Sequence, residues 1–265
     1  MNSLKEILQS YAAVLFCEHA AVGLLFLAAT FFYPEAALAG LLAAGTSLLI
    51  VRHFKLPNLI SRLYSYNSML VGLSLGASYQ LDIYLIVLIL LGSILTVFVT
   101  VILSDSLWRL DHLPALSLPF LIVALIVGFA AKKYGNLTPV LPPIASAAPF
   151  LSEVIDPFFV ALGSIFLIPH PIAGVIIFLG LFFTSRYLAF LAVAGFTVGT
   201  VIFIFLAGSG YSAIAPSLSG FNFILTAIAL GGIFTVPSMQ SFLMAMLGSA
   251  MAALITAAAQ TIMKV

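Results

Sequence analysis

Phe16-Cys17-Glu18-His19-Ala20-Ala21-Val22-Gly23 and Leu167-Ile168-Pro169-His170-Pro171-Ile172-Ala173-Gly174 lie one over the other. Each interrupts the first apolar run of its half of the chain, and each places a His four residues before a Gly. A second pair follows in the same order. Tyr66-Asn67-Ser68-Met69-Leu70 matches Phe221-Asn222-Phe223-Ile224-Leu225, and both continue to a Leu-Gly pair, Leu75-Gly76 and Leu230-Gly231. The offset shifts by only four residues between the two matches. An internal repeat is expected.

Composition says what kind of repeat. The chain has 265 residues, 63% hydrophobic and 6% charged, with a mean hydropathy of +1.28. Soluble domains carry roughly 25% charged residues, so this chain is a polytopic membrane protein. At roughly 20 residues per span, its length allows about eight to ten spans. The formal net charge of +1 argues against nucleic acid as a partner. The single cysteine, Cys17, excludes a disulfide framework within the chain. The first ten residues lack a cleavable-signal pattern.

The apolar runs place helices over residues 4–17, 21–33, 36–51, 63–78, 83–103, 120–131, 158–168, 172–183, 186–207, 218–236 and 239–262. Residues 104–112, with Asp105, Arg109 and Asp111, are expected as a loop with Trp108 as an interfacial anchor. Residues 1–134 form the first repeat, 135–157 a Pro-rich linker and 158–265 the second repeat. Loop 52–62 carries Arg52, Lys55 and Arg62, whereas 208–217 carries no Lys or Arg. This asymmetry predicts opposite insertion of the two halves, about five spans each. Lys132-Lys133 would then lie outside, against the trend.

Inverted repeats with interrupted helices place a solute path near the membrane midplane at the repeat interface. The breaks at 18–20 and 169–171 are the candidate interruptions. Leu113-Pro114-Ala115-Leu116-Ser117-Leu118-Pro119-Phe120 is a third. Two prolines disturb the helix there, and unsatisfied backbone is not left facing lipid. Ser117 either serves the path or bonds back to its own helix.

Glu18 is the outstanding carboxylate, at a pore entrance or a wet helix end. His19 and His170 are candidate proton carriers or ligands. Two His without neighbouring Cys or paired carboxylates make a poor metal site, so a structural hydrogen-bonding role is favoured and no metal is expected. Asn67 and Asn222 are expected to bond between helices. No nucleophile–base–acid set and no phosphate-binding loop is visible. Catalytic residues and cofactors are therefore not expected, and neither is ATP-driven transport. The scarcity of membrane carboxylates speaks against ion coupling.

The same residues resemble the urea transporter family. Leu113–Phe120 resembles its L-P-x-x-T-x-P-F signature, and Leu63–Gly72 its G-Y-N-x-x-L-V-G stretch. Phe221-Asn222 with Ala229–Phe234 resembles the second copy. Ala13–Phe16 with Gly23, and Ser164–Leu167 with His170-Pro171 and Gly174, lie where the family has Q-V-x-F-x-x-N-P-x-x-G. The resemblance covers nearly the whole chain in order.

It implies an all-α protein of two inverted repeats with re-entrant helices. The assembly would be a homotrimer in the cell (inner or plasma) membrane, passing urea down its gradient through a narrow slot. Aromatic side chains sandwich the flat solute there and oxygens accept its N–H groups. By position, the resemblance assigns Phe16 as a sandwiching ring and Tyr66 and Phe221 as lining. Leu70, Ile165 and Leu225 become apolar walls, and Ser117 the pore hydroxyl. Ala13 and Ser164 stand where the family has Gln or Glu. Leu167 replaces the second ring, His19 and His170 replace the Asn of N-P, and Ala20 removes one proline. These departures motivate a rival solute, such as a short amide, ammonia or water. An intramembrane enzyme using Glu18, His19 and His170, and a non-conducting scaffold, are the rivals from other classes. A second copy of the two-proline stretch would follow residue 262, so the second repeat is expected to be incomplete.

Overall fold

The computed structural model describes residues 3–56, 61–140, 150–207 and 218–263. The protein is an all-α, polytopic membrane protein. Its chain divides into two compact units, Met1–Ala145 and Ser146–Val265.

Among the described residues the first unit holds six helices: α1 (Ser3–Ala13), α2 (Ala20–Thr30), α3 (Pro34–His53), α4 (Ser61–Ser78), α5 (Ile83–Asp111) and α6 (Leu118–Ala131). The second holds α7 (Asp156–Ser164), α8 (Pro171–Thr184), α9 (Arg186–Ala207), α10 (Phe221–Ile228) and α11 (Met239–Met263). A π-helical turn, Ala229–Ile233, continues α10. Among the described residues, α3, α5, α9 and α11 are long and apolar enough to cross a membrane.

The first unit's core lies where α3, α4, α5 and α6 meet. Ala39, Ala43, Val71, Leu75, Leu85, Ile89, Val123 and Val127 are buried together there. Helices in lipid gain little from apolar burial alone, so close backbone approach through small residues takes over. Gly72 and Gly76 of α4 supply it. A Cβ at Gly72 would lie 2.4 Å from the Ala39 carbonyl oxygen, and one at Gly76 2.7 Å from that of Glu35. In the second unit the room comes from Gly195 and Gly199 on α9. There the ring of Phe223 occupies the space a Cβ at Gly199 would need.

Two expectations about boundaries change. Residues 104–111 are not a loop: α5 continues through them and ends on His112, at φ 54°. Asp105 and Arg109, one turn apart, pair at 2.9 Å on the exposed helix surface. Charged side chains beyond the hydrocarbon layer lengthen the helix instead of ending it. Pro34, which falls between the expected runs 21–33 and 36–51, opens α3 in its first turn, a position that needs no N–H. Within the Pro-rich segment, Gln80 N–H donates to the Thr138 carbonyl and Val140 N–H to the Ser78 carbonyl, each at 2.9 Å. Pro157 lies in the first turn of α7. Residues 57–60, 141–149 and 208–217, on which the loop-charge comparison partly rests, lie outside the described residues.

Candidate functional site

The two broken runs fold alike. Helix α1 ends at Ala13, and Phe16 follows with φ 59°; α7 ends at Ser164, and Leu167 follows with φ 62°. Neither is glycine, and a bulky residue in left-handed space is uncommon. The closing bonds correspond one to one. Phe16 N–H donates to Ala13 and Cys17 N–H to Ala12; Leu167 N–H donates to Ser164 and Ile168 N–H to Gly163. Each lies between 3.0 and 3.1 Å, and together they take up carbonyls that a helix end leaves orphaned.

After the break the chain folds back. Helix α2 packs on α1 and α8 on α7, with a glycine at each contact. A Cβ at Gly23 would lie 1.8 Å from the Leu8 carbonyl oxygen, and one at Gly174 1.8 Å from that of Phe159. The glycines and the carbonyls occupy equivalent places in the two alignments. The repeat seen in the residues is therefore a repeat of backbone geometry.

Around the first break, Ala13 and Phe16 are half-buried, and Glu18 and His19 are exposed. The Glu18 carbonyl accepts from Gln9 Nε2 at 3.4 Å. His19 is the N-cap of α2 without a side-chain cap bond. Around the second break, Ser164 and Ile165 are buried and Leu167 and His170 half-buried. Ser164 Oγ donates to the Val160 carbonyl at 2.8 Å. His170 Nδ1 accepts from Ile172 N–H at 3.2 Å, which makes this imidazole the cap of α8.

Tyr66 and Leu70 lie one turn apart on α4, and both are buried. Phe221 and Leu225 lie one turn apart on α10, half-buried. Each pair thus presents one face of its helix, since residues four apart share a face. Within each unit the helix that carries the pair packs on the helix before the break, α4 on α1 and α10 on α7.

The two-proline stretch is the third break. Leu116 sits at φ 43°, Ser117 is the N-cap of α6, and Pro119 lies in its first turn. Asn67, fully buried on α4, clamps this break from both sides. Its Nδ2 donates to the Leu116 carbonyl at 3.0 Å, and its Oδ1 accepts from Phe120 N–H at 3.1 Å. The expected interhelical bonding of Asn67 is therefore directed at the break itself. Its sequence signal was a lone amide in an apolar span, which leaves the partner unspecified. Ser117 does not bond back to cap its helix, and it is exposed in the single chain.

Across the two units the candidate residues comprise aliphatic side chains, aromatic rings and the hydroxyls of Tyr66, Ser117 and Ser164. Among the described residues no three His, Cys, Asp or Glu side chains cluster as metal ligands would. The urea transporter family model matches residues 4–265, nearly the entire chain. On that match the chain belongs to the urea transporter family.

Proposed function

We propose that the protein is a facilitative channel that passes urea down its gradient. The observation that carries this is the recurrence of the same break with a bulky left-handed residue, Phe16 in one half and Leu167 in the other. Strained, non-glycine backbone persists where the surroundings hold it, and it gathers at ligand sites. Phe16, Tyr66, Leu70, Ser117, Ser164, Ile165, Leu167, Phe221 and Leu225 line the passage in this reading. Ala13, Glu18, His19 and His170 stand near its entrances. Urea is flat, neutral and rich in N–H donors. Rings hold its faces while carbonyls and hydroxyls replace its water, and many weak sites let it leave again. The protein acts as a homotrimer in a cell membrane, inner or plasma, and neither ATP nor ion gradients drive it.

Stopped-flow shrinkage of proteoliposomes tests the function. Urea should enter faster than into empty liposomes; equal rates overturn the reading. Light scattering of the detergent-purified protein tests the trimer.

A second reading is favoured by one observation. Where the family has Gln or Glu, this chain has Ala13, without a polar side chain, and Ser164, whose proton is committed to Val160. Fewer acceptors suit a solute with fewer N–H groups, such as a short amide, ammonia or water. A solute panel in the same liposomes separates the two by which permeability rises most over the empty control.

A further inference from the structure

We propose that Asn67 is a positioning residue that caps α6 in place of Ser117, and so keeps the Ser117 hydroxyl for the permeating solute. The inference rests on the channel reading above and assigns a role to a residue that does not itself line the passage.

Ser117 is the N-cap of α6, and an N-cap serine ordinarily accepts from the N–H two or three residues on. Two residues on stands Pro119, which has no N–H. Three residues on stands Phe120, and its N–H already donates to Asn67 Oδ1. Both customary partners of the serine oxygen are thereby removed, one by chemistry and one by Asn67. The backbone agrees. Ser117 sits at φ −88° and ψ 8°, away from the extended conformation that N-cap residues usually adopt.

The other half of the amide fixes where the hydroxyl sits. Asn67 Nδ2 holds the carbonyl of Leu116, which is left-handed and directly precedes Ser117. Asn67 has no accessible surface, so water does not substitute for either bond. The equivalent Asn222 bonds to Ser219 near its own helix start. The clamp is therefore not a general requirement of an asparagine at this register.

Removing the amide should return Phe120 N–H to Ser117. The hydroxyl would then turn into its own helix and leave the solute. The experiment compares wild type, Asn67→Ala, Ser117→Ala and the double variant in proteoliposomes. Melting temperature and elution profile confirm folded protein. Ser117→Ala should lower urea flux about fivefold, the worth of one hydrogen bond. Asn67→Ala should match it, and the double variant should be no lower than either. Asn67→Gln keeps both the donor and the acceptor of the amide and should conduct within about twofold of wild type on the same scale; it also serves if the alanine variant does not fold.

A second readout is independent of flux. Amide exchange at Phe120 should stay slow in Asn67→Ala and quicken in the double variant. Additive flux losses, or equal exchange in those two variants, overturn the proposal. Unchanged flux in Ser117→Ala beside a conducting wild type also overturns it, and leaves urea conduction standing. A wild type that passes no urea overturns the channel reading instead, while the exchange pattern still decides the capping.

Discussion

In the first unit Asn67 reaches across to a break between helices and holds it at Leu116 and Phe120. In the second, Asn222 occupies the same register and bonds to Ser219, three residues away. The hairpins show the opposite pattern. The α1–α2 and α7–α8 pairs share their left-handed residue, their closing hydrogen bonds and their glycine-to-carbonyl contact. The hairpins have stayed alike because backbone packs on backbone there, and no side chain is free to adapt. The regions built from side chains have diverged. Even an aligned glycine pair meets different atoms: Gly76 approaches the Glu35 carbonyl, whereas Gly231 approaches the Leu191 side chain.

The largest expected effect tests the similarity of the hairpins. Gly23→Ala and Gly174→Ala each drive a methyl into a backbone carbonyl. Each should cost about 3 kcal/mol or more, the upper range for overpacking, read as a lowered melting temperature in detergent. Tolerance of one and not the other would break the equivalence.

The asparagines test the difference. Asn67→Ala removes two buried bonds and should cost about 2 kcal/mol. Asn222→Ala should stay below about 0.5 kcal/mol, as expected of a local, part-exposed contact. Equal losses would mean that Asn222 carries contacts of the same weight.

The third prediction concerns flux. Phe16→Ala should reduce urea permeation about tenfold through loss of the aromatic face, with little change in melting. Leu167→Ala, which removes only an aliphatic wall, should reduce it less. Identical reductions would make the two positions mere wall.

A fourth prediction, of a single hydrogen bond, concerns the π turn. Tyr187 Oη donates to the Gly231 carbonyl at 3.1 Å. Tyr187→Phe should cost about 1 kcal/mol, read as a small drop in melting temperature; an unchanged value would leave the turn held by its backbone alone.

Much of this architecture was legible in the residues because hydropathy reports directly on spans. The runs at 172–183 and 186–207 meet α8 and α9 within a residue or two. The charged end of α5 was not, since Asp105 and Arg109 read equally well as loop or as a helix surface past the membrane. Of the candidate site, the alignment of Phe16 with Leu167 and of Tyr66 with Phe221 was legible from order and spacing. Their left-handed backbone was not, because neither Phe16 nor Leu167 is a residue that favours it. The clamp by Asn67 was out of reach for another reason: its partners lie 49 and 53 residues away in sequence. Only folding decides which backbone groups such an amide meets. Favouring hydrogen bonding for His170 anticipated its cap on Ile172.

Each hairpin break also sets one helix C-terminus beside the N-terminus of the next, as Ala13 stands beside Ala20 and Ser164 beside Pro171. The ends of helix dipoles carry about half a unit charge of opposite sign, so at a distance the two largely offset one another. An approaching ion therefore meets little net potential at either break. In the channel reading proposed above, passage of an uncharged solute should be indifferent to transmembrane voltage, so that only the concentration difference sets the direction of flow.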